Sequence, residues 1–192
     1  MLKKILLALF LLGCADVKAF VDQKTVLASQ QGFISVPGEQ LYYQQFVSKK
    51  KDVPIIVLHG GPGMDQSYLL PQVLELAKDN EVIFYDQRGS GKSSEQPLDP
   101  SQINMKRFVQ DLEAVRKYFG YGKIILLGHS WGGLLAAEYA IAYPQHVDAL
   151  ILLNSVPLIS EGFQEFEKEY DHRTADIQKQ LEQMQHSKAL QR

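Results

Sequence analysis

The 192-residue sequence has little cysteine: Cys14 stands alone, which excludes an internal disulfide framework and a cysteine-rich zinc site. It lacks any Lys/Arg block beyond the N-terminal pair and the short run Lys49-Lys50-Lys51, and 20 basic against 22 acidic residues leave a net charge of −2. Phosphate neutralisation needs clustered positive charge, so nucleic acid is not an expected partner. No segment repeats at a solenoid period. The longest apolar run near the N-terminus falls far short of the roughly 20 residues that cross a bilayer. No residue pattern points to a metal or a cofactor. What remains is ordinary: 45% hydrophobic and 22% charged residues exclude a disordered or collagen-like chain, and the length suits one domain with an appendage.

The first residues read as an address. Met1-Leu2-Lys3-Lys4 is basic, and Ile5 to Leu12 is apolar, the order of a secretory signal. Leu11-Leu12-Gly13-Cys14 resembles the lipobox of bacterial lipoproteins, in which the cysteine is lipidated and becomes the new N-terminus. The reading is a lipoprotein signal over residues 1–13, a lipid anchor on Cys14 and a polar tether over 14–30. It implies an exported protein held at a bacterial cell envelope or in the periplasm. A plain signal cleaved near Ala15 or Ala19 is the alternative. Several acyl chains make a stable anchor, at about 0.8 kcal/mol per buried methylene.

The core, 31–157, alternates strand and helix. Gly32–Val36 and Leu41–Val47 flank Pro37-Gly38-Glu39, a turn signal that predicts an antiparallel hairpin. Val53–Leu58, Val82–Tyr85, Ile124–Leu127 and Ala149–Leu153 are almost wholly apolar, as in parallel strands covered on both faces. Between them, Tyr68–Lys78 predicts a helix with Leu69, Leu70, Val73, Leu74 and Leu76. Met105–Phe119 places Phe108, Leu112, Val115 and Phe119 on one face, and Leu134–Tyr143 is small and apolar. This pattern predicts an α/β fold with right-handed crossovers.

Three motifs sit at the ends of those strands. Gly128-His129-Ser130-Trp131-Gly132-Gly133 is G-x-S-x-G between a strand and a helix, where a sharp turn thrusts the serine out of the sheet. Gly128 and Gly132 stand where side chains would collide. Ser130 is the candidate nucleophile, and the Trp131 backbone N–H at the helix start is one oxyanion donor. His59-Gly60-Gly61-Pro62-Gly63 supplies the second, with Gly61 the first choice and Gly60 the second; His59 is read as bracing its loop rather than as catalytic. Asp86-Gln87-Arg88-Gly89-Ser90-Gly91-Lys92-Ser93 lacks the first glycine of a phosphate-binding P-loop and runs into breakers. Asp86 and Arg88 are expected to pair and shape that loop.

HGGPG, DQRGSGKS and GHSWGG, in this order and spacing, together resemble the proline iminopeptidases (prolyl aminopeptidases) of the α/β-hydrolase fold, from about Gly32 to Pro157. The resemblance implies a mainly parallel sheet behind an N-terminal hairpin. It implies Ser130 as the nucleophile that releases an N-terminal residue, proline favoured, from peptides with a free N-terminus. An esterase or amidase of the same fold is the alternative.

In this fold an acid and a histidine follow the serine on later loops. After Ser130 one more strand is found, Ala149–Leu153, and then an amphipathic stretch carrying Phe163, Phe166, Tyr170, Ile177, Leu181 and Met184, with a gap near Arg173–Thr174. Residues 158–192 resemble the beginning of the family's helical cap. The triad acid and histidine are therefore not identified. Asp171 or Asp176 with His186 has the right order, but one continuous helix does not hold them on separate loops, and His146 follows a helix end. Glu161, Glu165, Glu167 and Glu169 read as a solvated face ahead of an amine-binding one. The expectation is a shortened chain lacking the last strands, with Ala149–Leu153 as an exposed edge open to a complementing chain or a second copy. A non-catalytic lipoprotein that binds a partner or ligand is the competing reading.

Overall fold

A computed structural model of the chain describes residues 27–49, 52–61, 63–94 and 99–189. The described residues fall into two compact units, divided between Ser155 and Val156. Residues 1–13, read above as a signal, and Cys14 lie outside the described residues.

The first unit is built on a six-stranded sheet. β1 (Leu27–Val36) and β2 (Glu39–Val47) form the antiparallel hairpin, turning at Gly38 with φ +76°. β1 starts at Leu27, inside the stretch given above to the tether, because Leu27 pairs with Val47 and Ser29 with Phe46 across a bulge. β3 (Ile55–Leu58), β4 (Val82–Tyr85), β5 (Ile124–His129) and β6 (Val147–Leu153) complete the sheet in the order β1-β2-β4-β3-β5-β6. β4 pairs antiparallel with β2; the β4-β3-β5-β6 section is parallel.

Strand periodicity sorts the core into two layers. Ile56, Leu58, Ile83 and Tyr85 point to one face, and Ile55, Val57, Val82 and Phe84 to the other. The first face is covered by α2 (Met105–Tyr118) through Phe108, Leu112 and Val115, and by α3 (Trp131–Ala142) through Leu135 and Tyr139. Asn104 caps α2 by accepting the Arg107 N–H at 3.0 Å. Within this layer the Glu113 carboxylate is clasped by Arg116 at 2.7 and 2.8 Å and by the Tyr139 hydroxyl at 2.7 Å. Burial pushes that carboxyl up, but the Arg116 and Tyr139 hydrogen bonds and the Arg116 charge outweigh it and hold it down at about 2.

The second face is covered by Leu69 and Val73, from a segment that departs from the continuous helix expected over Tyr68–Lys78. It is a 3₁₀ turn at Gln66–Tyr68, a short α1 (Leu70–Val73) and a second 3₁₀ turn at Leu74–Lys78. Asp65 starts the first turn by accepting the Ser67 N–H at 2.8 Å. Pro71, which has no N–H to give, fits only a first helical turn and so resets the α-helical start at Leu70. β3 and β4 are buried throughout, whereas β6, last in the sheet, is half-buried for most of its length.

The second unit contains α4 (Ser160–Ala189), one helix that runs on through the gap in apolar spacing near Arg173–Thr174. The Glu169–Arg173 ion pair at 2.6 Å, one turn apart, supports the backbone where the apolar spacing lapses. Glu161, Glu165, Glu167, Glu169, Asp171 and His172 are exposed. The side chains of Asp176 and His186 are outside the description. Among the described residues, no helix is long and apolar enough to cross a membrane.

Candidate active site

Ser130 occupies the turn between β5 and α3 with φ +53° and ψ −120°, a backbone conformation rare for a side-chain-bearing residue. Such a conformation costs about 1–3 kcal/mol and persists only when its surroundings hold it. Here the Ser130 N–H donates to Leu153 O of β6 at 3.1 Å, and Gly133 N–H donates to Ser130 O at 3.0 Å. The turn closes because strand and helix nearly touch. A Cβ on Gly128 would lie 2.5 Å from Gly132 C and 2.6 Å from Gly133 N, and one on Gly132 would lie 2.8 Å from His59 O. Both positions therefore require glycine. Trp131 opens α3, so its N–H belongs to the first turn, where N–H groups have no intrahelical acceptor.

The loop after β3 lies against this turn. A Cβ placed on Gly60 would be 3.2 Å from Ser130 Cβ, 3.2 Å from His129 Nδ1 and 3.0 Å from the Tyr68 hydroxyl. Gly61 takes φ +130° in the next position. His59 is buried. Its Nδ1 donates to Gly60 O at 2.7 Å, while its Nε2 accepts the Gln87 N–H at 2.9 Å, which sets the proton on Nδ1. Burial lowers its pKa, so the ring is neutral at pH 7. With both nitrogens committed, His59 is built to brace the loop.

Gln87 joins the three loops. Its Nε2 donates to His59 O at 2.7 Å, and its Oε1 accepts the Trp131 Nε1–H at 3.1 Å. The Trp131 ring then packs edge-on against Phe108 at 5.8 Å. Sequence reading passed over both Gln87 and Tyr68. Gln87 sits inside a motif scanned for phosphate binding, and Tyr68 stands at the head of a stretch read for its apolar face.

The expected pairing of Asp86 with Arg88 does not occur. The Arg88 guanidinium instead donates to both oxygens of Asp111 on α2, at 2.9 and 2.7 Å, with side-chain exposures of 0% and 3%. Each side chain is committed elsewhere, Arg88 to the Asp111 carboxylate and Asp86 to backbone N–H groups. Asp86 accepts the Gln66 N–H at 3.1 Å and the Lys92 N–H at 2.9 Å, tying the turn that carries Tyr68 to the loop after β4. Gly91–Ser94 forms a 3₁₀ turn, with Lys92 lying over the Tyr42 ring at 4.2 Å. Among the described residues, no side chain hydrogen-bonds the Ser130 hydroxyl, and no group of three His, Cys, Asp or Glu side chains is placed to hold a metal.

The same arrangement of strands and loops recurs in known proteins. The chain is 42% identical over 130 residues to a proline iminopeptidase of Heyndrickxia coagulans, covering 68% of this chain and 44% of that protein. It is 35% identical over 159 residues to a proline iminopeptidase of Saccharolobus solfataricus, covering 81% and 51%. Among solved structures, a proline iminopeptidase-related protein from Thermus thermophilus superposes with a TM-score of 0.62 at 30% identity, over 67% of this chain and 45% of that one. The chain thus spans about half the length of the curated relatives it matches. The family model of the alpha/beta hydrolase fold matches residues 53–188. That stretch takes in all three loops and the strands that carry them, and the chain belongs to the alpha/beta hydrolase fold family.

Proposed function

We propose that Ser130 is the nucleophile of an aminopeptidase that releases an N-terminal residue, proline favoured, from peptides with a free N-terminus. The left-handed turn at Ser130, with the glycine loop packed against it, carries this reading. The similarity to proline iminopeptidases supports the substrate class. In the reaction the Ser130 Oγ attacks the carbonyl carbon of the N-terminal residue, and the Gly61 and Trp131 N–H groups receive the charge that develops on its oxygen. The step needs a general base to take the hydroxyl proton and return it to the departing amine, and among the described residues no side chain is hydrogen-bonded to Ser130 to do so. Water then cleaves the acyl-enzyme and releases the free amino acid. Gly128 and Gly132 hold the turn, and His59, Gly60 and Asp86 shape the loops around it.

The test is release of 4-nitroaniline from proline 4-nitroanilide by the full chain, beside N-acetyl-proline 4-nitroanilide and Ser130→Ala. Ser130-dependent release that requires the free amine supports the reading. No release above the Ser130→Ala background overturns it and favours a non-catalytic ligand- or partner-binding protein. We also propose a lipid anchor on Cys14 at a bacterial envelope membrane. Incorporation of radiolabelled palmitate that is lost in Cys14→Ala supports it, and equal incorporation without Cys14 overturns it.

A further inference from the structure

We propose that Tyr68 is the positioning residue of the oxyanion loop: its hydroxyl fastens Gly60 to His129 and leaves Gly61 as the loop N–H that faces the reacting oxygen. The inference rests on the reading of Ser130 as nucleophile and adds to it a residue and a choice between two glycines.

Counting donors leads to this conclusion. The Tyr68 oxygen lies 2.7 Å from Gly60 N and 2.7 Å from His129 Nδ1. An amide nitrogen only donates, so the hydroxyl accepts from Gly60; its single proton is left for a second partner, and in this proposal it goes to His129 Nδ1. His129 Nδ1 is then an acceptor, and the imidazole carries its proton on Nε2. The Tyr68 and His129 rings pack edge-on at 5.4 Å beside this bond. Burial lowers the His129 pKa, and burial raises that of Tyr68 against the opposing pull of the Gly60 hydrogen bond. Both groups are neutral at pH 7, the state this chain of bonds requires.

The link is anchored at both ends. Tyr68 closes the 3₁₀ turn started by Asp65, and the N–H of Gln66 in that turn is held by the buried Asp86 carboxylate. His129 directly precedes Ser130. A single hydroxyl therefore spans from the loop after β3 to the turn after β5 and sets the distance between the glycine loop and the nucleophile. Because the Gly60 N–H is spent on Tyr68, it is removed as an oxyanion donor.

The experiment is nitrogen-15 NMR on the full chain and on Tyr68→Phe, with acylation of Ser130 by a fluorophosphonate followed alongside. In the unaltered chain His129 Nδ1 is expected to carry the signature of an unprotonated, hydrogen-bonded nitrogen. In Tyr68→Phe that signal moves, Gly60 amide exchange quickens about tenfold, as for loss of one hydrogen bond of about 1.4 kcal/mol, and acylation slows by a similar factor. A Tyr68 that merely filled space would leave the imidazole signal in place. A protonated Nδ1 in the unaltered chain overturns the proposal by itself, even if Tyr68→Phe fails to fold. So does unchanged Gly60 exchange in Tyr68→Phe, or acylation at the unaltered rate. If the NMR signature is present but the unaltered chain never acylates, Ser130 is not the nucleophile; the Tyr68 link then survives as a loop brace and its oxyanion role is refuted.

Discussion

Gly132→Ala tests the architecture of the Ser130 turn with a single methyl group. The added Cβ would press into Leu58 O and lie 2.7 Å from Leu58 C and 2.8 Å from His59 O, whereas ordinary contacts begin at 3.4 Å. Every obstructing atom is backbone, so no side chain can swing away. Relief requires β3 and α3 to separate by about 1 Å, and overpacking of this kind costs about 1–3 kcal/mol, here at the upper end. The displacement falls between the glycine loop and Ser130, where an error of about 1 Å costs on the order of a hundredfold in rate. Gly132→Ala should therefore lose about 3 kcal/mol in urea unfolding and slow fluorophosphonate acylation about a hundredfold. Trp131, the only tryptophan, adjoins Ser130 and reports the unfolding by fluorescence. Gly122→Ala is the control: nothing lies within 4 Å of its Cβ, so stability should stay within about 1 kcal/mol. A Gly132→Ala chain that loses less than about 1 kcal/mol and acylates at the unaltered rate refutes the reasoning.

Asp111→Ala leaves the fully buried Arg88 guanidinium without its carboxylate and should cost about 3–5 kcal/mol in urea unfolding; Arg88→Met with Asp111→Leu should recover most of it, and a loss below about 1 kcal/mol for Asp111→Ala counts against the pair. Glu113, held at about 2 against an ordinary 4.5, contributes stability above pH 4.5 that is lost as pH falls toward 2, by up to about 3 kcal/mol. Urea unfolding across that range should show a steeper loss for the unaltered chain than for Glu113→Gln, and parallel curves would contradict it.

The legible parts of the fold were those where one strong pattern decides. Unbroken apolar runs marked β3 and β4 because both faces of a central parallel strand are covered. The spacing of Phe108, Leu112 and Val115 marked α2 because one face of it meets the sheet. The sharp turn at Ser130 was legible because close approach there tolerates only Gly128 and Gly132. What escaped was long-range polar pairing. Arg88 was assigned to a neighbour in sequence, although Asp111, a charge placed on the apolar stripe of α2, was the sign of a buried partner. Tyr68 stands only as the first residue of an apolar stretch in the sequence, while its hydroxyl bonds to residues 8 and 61 positions away. The helix expected at Tyr68–Lys78 broke where Asp65 and Pro71 impose their own starts.

The most direct measurement is the intact mass of the chain after fluorophosphonate treatment, with peptide mapping and Ser130→Ala in parallel. The account predicts one adduct, on Ser130, abolished by Ser130→Ala. An unmodified chain, or an adduct that persists without Ser130, contradicts it.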